Sequence, residues 1–203
     1  MLTPTQRLYF SLLHSPMPIV VASGPAGTGK TMLACHAAAK SFIDGRVKRI
    51  VMTRPAVSVD EQHGFLPGSL EKKMDPWTRP MFDALGSHFG PLHLKTMVKE
   101  GKIEVCPLAY MRGRTFDNAY IIGDEMQNST PSQMKMLLTR IGKDSKMVVT
   151  GDCAQHDRGF EQNGLEDLAK RICSLSANIE HIRFSEEDVM RSEVIKEILR
   201  IYQ

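Results

Sequence analysis

The chain has no apolar run long enough to cross a bilayer. Its longest, such as Ile19-Val20-Val21-Ala22, fall far short of the roughly 20 residues that a spanning helix needs. Cysteine is scarce and scattered: Cys35, Cys106, Cys153 and Cys173 form no C-x-x-C pair. That argues against a zinc site or a disulfide framework and fits a reducing cytosol. The opening residues, Met1-Leu2-Thr3-Pro4-Thr5-Gln6-Arg7, lack the basic stretch, apolar run and cleavage site of a secretory leader, so a cytoplasmic protein is expected. An excess of one charge is missing too. Lys and Arg number 26 against 23 Asp and Glu, a formal net charge of +3. This permits nucleic-acid binding without requiring it, because a dedicated basic footprint is larger.

What is present is ordinary for a soluble α/β protein: 42% hydrophobic and 24% charged residues over 203 positions, read as a single domain 1–203. Short β-rich runs at 19–23, 50–53, 103–106, 119–123, 147–150 and 179–184 alternate with helical patterns at 5–14, 30–42, 131–141, 165–175 and 187–201. Such alternation predicts a mostly parallel sheet with helices on both faces and a site at the strands' C-terminal ends. Residues 55–91 break the rhythm with Gly64, Pro67-Gly68, Asp75-Pro76-Trp77 and Arg79-Pro80, and read as an insertion.

Three segments carry chemistry. Gly24-Pro25-Ala26-Gly27-Thr28-Gly29-Lys30-Thr31 matches G-x-x-x-x-G-K-[ST] between an apolar strand and a helix. Backbone N–H groups of such a loop turn inward around phosphate oxygens, Lys30 reaches the β- and γ-phosphates, and the Thr31 hydroxyl takes a place on magnesium. Tyr120-Ile121-Ile122-Gly123-Asp124-Glu125 is a strand ending in two carboxylates. Asp124 is expected in or beside the magnesium coordination, and Glu125 as the base that polarises water. Met147-Val148-Val149-Thr150-Gly151-Asp152-Cys153-Ala154-Gln155 ends a third strand, with the Gln155 amide placed to hold water or report the γ-phosphate. Gln6, near a helix cap supplied by Thr3 or Thr5, has an amide that pairs with the adenine N6 and N7 edge, which favours ATP.

On these motifs the chain resembles the PhoH-like ATPases, relatives of superfamily-one helicases with a single RecA-like P-loop NTPase motor domain. The resemblance runs also through Val51-Met52-Thr53-Arg54-Pro55-Ala56-Val57, Gly64-Phe65-Leu66-Pro67-Gly68, Pro107–Thr115, Gln133-Met134-Lys135-Met136 and Asp188-Val189-Met190-Arg191. It implies ATP hydrolysis with Mg2+, coupling to single-stranded RNA, a cytoplasmic location and a homo-oligomeric ring of six subunits. Gly123 stands where the family usually has a bulky apolar residue, which weakens the strand locally and allows close backbone approach. The expected Thr before Gln155 is Ala154. The N-terminal RNA-binding or ribonuclease modules of some relatives are not matched, and their activities are not carried over.

Arg54, Arg79, Arg112 and Arg114 are expected to contact RNA phosphates, with Trp77 available to stack on a base. Helicases of this superfamily complete the ATP site with an arginine from a second motor domain. Here that group is expected in trans, from Arg191 first and Arg140 second. Two other readings stand beside the RNA-coupled ATPase: an ATP-binding switch or scaffold with little turnover, and a small-molecule phosphotransferase.

Overall fold

The computed structural model describes residues 2–55, 70–155, 162–172, 177–190, 194 and 201, with backbone alone for 70–78. Six strands form one sheet: β1 (Ile19–Ser23), β2 (Arg49–Thr53), β3 (Ile103–Val105), β4 (Ala119–Gly123), β5 (Lys146–Gly151) and β6 (Ile179–Arg183). Their spatial order is β3-β2-β4-β5-β1-β6. Every pairing is parallel, as β1 shows with Val20 opposite Val148 on one side and Glu180 on the other.

Side chains of successive strand residues point to opposite faces, and both faces are apolar. Val20, Ala22, Ile50, Met52, Tyr120, Ile122 and Val148 belong to one core cluster. It is covered by α1 (Pro4–His14), α2 (Lys30–Ile43), α3 (Leu70–Phe89) and α4 (Pro91–Lys99). Val21, Val51, Ile121, Met147 and Val149 face the other way, under α5 (Pro131–Leu138) and α6 (Gly164–Ile172). The central helix α2 seats Ala34, Ala37, Ala38 and Ala39 on the sheet, all fully buried; small side chains let it approach closely. α1 and α5 start alike. Each has a threonine cap (Thr3, Thr130), proline in the first turn and a reciprocal glutamine (Gln6, Gln133).

The segment 55–91 differs from a plain insertion in its described half. α3 runs from Leu70 to Phe89 despite Pro80, and Met81 and Leu85, one turn apart, are fully buried in the core. Proline and glycine density hid a helix that covers the sheet. α5 stops at Leu138 rather than 141, because Ile141 leaves to bridge Phe116 beside the sheet. Residues 187–190 open with a 3-10 turn, Glu186–Asp188, and the rest of the expected last helix lies largely outside the described residues. Among the described residues, no helix is long and apolar enough to cross a membrane.

Gly123 is explained by its neighbours. A Cβ there would stand 2.9 Å from Leu137 Cδ2 and 3.3 Å from Met126 Cγ. Gly123→Val is therefore expected to cost about 1–3 kcal/mol through overpacking, read as a lower urea midpoint with unchanged slope. An unchanged midpoint would show that α5 yields freely at this contact.

Candidate active site

The loop from Ser23 to Lys30 crosses the C-terminal edge of the sheet next to the end of β5, and Gly24 N–H donates to Gly151 O at 3.1 Å. Gly24, Gly27 and Gly29 take φ values of 140°, 84° and 80°, which glycine adopts without steric cost. At Gly24 there is also no room, since a Cβ would lie 2.4 Å from Phe184 O. α2 begins on Gly29 with no side-chain cap, so its first N–H groups and positive dipole end remain for an anion.

Lys30 is 8% exposed and lies across this loop. Its ammonium donates to Gly24 O and Pro25 O, both at 2.7 Å, and to Thr28 Oγ1 at 3.1 Å. Burial pushes its pKa down, while Asp152, Glu125 and Asp124 act in the opposite direction. The ammonium is thus held by neutral acceptors that charged phosphate oxygens outcompete.

Asp124 follows β4 and is 7% exposed. Its Oδ1 accepts from the Thr31 hydroxyl at 2.7 Å and from the Thr150 hydroxyl at 2.6 Å. A hydroxyl and a carboxylate side by side at the mouth of a phosphate loop fit magnesium. That ion takes few protein oxygens and completes its shell from phosphate and water.

Glu125 adopts the left-handed conformation, φ 51° and ψ 39°, which costs a non-glycine residue on the order of 1 kcal/mol or more. The turn brings its carboxylate to the cleft, where Arg54 Nη2 lies 3.0 Å from Oε1 and Gln127 Nε2 donates to Oε2 at 2.6 Å. Gln127 is buried, and its carbonyl accepts the Asp152 N–H at 3.1 Å. Gln155 is exposed, and its N–H donates to Asp152 O at 3.1 Å. Lys30, Thr31, Asp124, Glu125, Asp152 and Gln155 line one cleft of about 580 Å³, to which α3 contributes Pro80, Asp83, Ala84 and Ser87.

Other sequence-predicted residues lie elsewhere or are otherwise engaged. The Gln6 amide accepts from Thr3 N–H at 2.9 Å and donates to Thr28 O at 3.0 Å, bracing the loop from behind. Reading adenine requires it to exchange these bonds. Arg114 is paired with Glu104 and stacks on Phe116 at 4.5 Å, whereas Arg79 and Arg112 are exposed. The Trp77 side chain lies outside the described residues. So does Arg191. Met190, just before it, donates its N–H to Gly27 O at 3.0 Å. Arg140 donates to Met136 O, Arg114 O and Thr139 Oγ1.

Sequence reasoning did not single out Gln127 or Thr150 as parts of the site, nor Arg54 as the partner of Glu125. Gln127 stands two residues after Glu125 and Thr150 directly before Gly151-Asp152. Spacing signalled both, but only packing reveals what they touch.

A family model described as PhoH-like protein matches residues 1–203. A PhoH-like protein of Bacillus subtilis (strain 168) is 47% identical over 202 residues, covering 98% of this chain and 62% of the relative. Protein PhoH of Escherichia coli (strain K12) is 41% identical over 201 residues, covering 97% of this chain and 56% of the relative. The chain thus spans about 62% or less of these relatives' lengths. Among solved structures, the large terminase of a thermophilic bacteriophage superposes with a TM-score of 0.56 at 12% identity, covering 98% of this chain and 50% of the terminase. A crystal form of that terminase in complex with ADP gives 0.53, with the same identity and coverage.

Proposed function

The chain belongs to the PhoH-like family, and from that premise we propose that it binds ATP with magnesium and hydrolyses it. The observation that carries this reading is the meeting of Lys30, Thr31, Asp124 and Glu125 in one cleft, with Thr31 and Asp124 in direct contact. The residues from Gly24 to Thr31 cradle the phosphates, with Pro25, Ala26 and Thr28 supplying backbone between the glycines, and Lys30 neutralises the β- and γ-oxygens. Thr31 and Asp124 would hold magnesium, which would supply positive charge to offset that of the phosphates. Glu125 takes the proton of the attacking water, Gln155 orients that water or the γ-phosphate, and Gln6 selects adenine.

Coupling to single-stranded RNA, cytoplasmic residence and assembly into a homo-oligomeric ring, with Arg191 or Arg140 completing the neighbour's site, belong to the same proposal. Water is favoured over a metabolite as acceptor because Glu125 and Gln155 line the same cleft as the phosphate loop, the pairing that suits an attacking water. The decisive experiment is phosphate release with and without single-stranded RNA, alongside mass by light scattering. RNA-stimulated release from an oligomer supports the reading; tight ATP binding with no release under either condition overturns it.

The arginines make a separate expectation. Removing one phosphate-binding arginine should reduce the log–log salt slope of RNA binding by about 0.7. Arg79→Ala and Arg112→Ala, whose side chains are exposed, should each show that reduction, and Arg54→Ala and Arg114→Ala less, because Glu125 and Glu104 already pair with their guanidinium groups. Salt slopes unchanged in all four variants would remove RNA from these positions.

A further inference from the structure

Glu125 is held on two sides. Arg54, just past the end of β2, pairs with Oε1 at 3.0 Å, and Gln127 donates to Oε2 at 2.6 Å. Gln127 is itself fixed, 1% exposed, with its carbonyl on the Asp152 N–H. The Glu125 side chain, which lines the cleft, is 36% exposed, and that of Arg54 is 23% exposed. Water can therefore reach the carboxylate, and an outside anion can reach the guanidinium. The two holds differ in kind. Gln127 is buried and tied to β5, so it cannot leave without disturbing the sheet edge. Arg54 is half-buried, and its ion pair with Glu125 is one that another anion can replace.

We propose that Arg54 and Gln127 are the positioning residues of Glu125, and that Arg54 couples strand binding to hydrolysis. With no strand present, Arg54 engages the carboxylate oxygen that water needs. A backbone phosphate of single-stranded RNA competes for the same guanidinium, and Oε1 is released for water while Gln127 keeps its hold on Oε2 and so fixes the carboxylate. A guanidinium suits this exchange because carboxylate and phosphate present it with the same oxygen geometry. The inference rests on the proposed RNA-coupled ATPase and adds the group through which the coupling passes.

The test uses the full chain and a poly-uridine single strand, with phosphate release and ATP affinity measured separately. Arg54→Ala should raise the strand-free kcat about tenfold, toward the stimulated wild-type rate, and bring the stimulation ratio close to one. ATP affinity should stay unchanged. Arg54→Lys, which keeps the charge but not the planar fork, should retain part of the stimulation. The double variant Arg54→Ala/Glu125→Gln should be as slow as Glu125→Gln alone, because the gain passes through that carboxylate. A strand-free rate at or below wild type in Arg54→Ala overturns the proposal, as does a wild-type stimulation ratio. If the wild type hydrolyses ATP but ignores the strand, the RNA reading fails, and the strand-free rate of Arg54→Ala still decides whether Arg54 restrains Glu125.

Discussion

Lys30→Ala is expected to abolish ATP binding and hydrolysis together, whereas Glu125→Gln should keep binding and lose about 10²–10⁴-fold in turnover. The split follows from what each side chain can touch. Lys30 lies across the phosphate loop and has acceptors from Gly24, Pro25 and Thr28 around its ammonium, so it meets phosphate already in the ground state. Glu125 lines the same cleft, and its carboxylate is bonded to Arg54 and Gln127 rather than to the loop among the described residues. Its contribution arises as the proton leaves water, which affects kcat and not affinity. The check is equilibrium binding of a fluorescent ATP analogue beside phosphate release. Turnover by Glu125→Gln at the wild-type rate would remove the assigned base, and tight binding by Lys30→Ala would remove the assigned cradle lysine. Melting curves of both variants separate these outcomes from misfolding.

The parallel core was legible because burial on both faces writes strands as continuous apolar runs. Ile19–Ser23 and Ala119–Gly123 lie where the sequence predicts them. The phosphate loop was legible for a different reason: its glycines answer a backbone need, and a Cβ at Gly24 has no space. α3 was obscured because Pro80 and Gly86 mark breaks in local propensity, while Met81 and Leu85 gain more from burial against α2 and the sheet than the missing N–H costs. The link from Arg54 to Glu125 joins the ends of β2 and β4, which are neighbours in the sheet but distant in sequence. Nothing local encodes it; strand order does. Gln6 illustrates the opposite case, in which one side chain matches two roles. Its capping bond to Thr3 was predictable from spacing. Its bond to Thr28 O depends on α1 packing behind the loop.

The second large effect concerns the arginine that completes the site. A trans-acting arginine is worth about 10³–10⁵ in rate where related enzymes have one; Arg140 is not among the residues that line the cleft, and Arg191 lies outside the described residues. Arg140 would have to give up bonds to Met136 O, Arg114 O and Thr139 Oγ1 to serve a neighbour. Arg191 follows directly on Met190, whose N–H is bound to Gly27 O of the same chain. That bond ties the backbone just before Arg191 to the phosphate loop of its own chain, so service in cis has to be tested beside service in trans. Arg191 stays the first candidate because Arg140 is already held by three bonds, and a group given in trans would be passed around a closed head-to-tail ring. Mixing separates service in trans from service in cis. Lys30→Ala subunits keep the arginine and Arg191→Ala subunits keep the cradle, and each alone should hydrolyse ATP poorly. If the arginine acts in trans, a mixed ring places intact arginines against intact cradles and recovers part of the wild-type rate. If it acts in cis, every subunit lacks one of the two groups and no mixture recovers. Absence of recovery in rings confirmed as mixed by mass would exclude Arg191 in trans, and a fully active monomer would exclude any such donor.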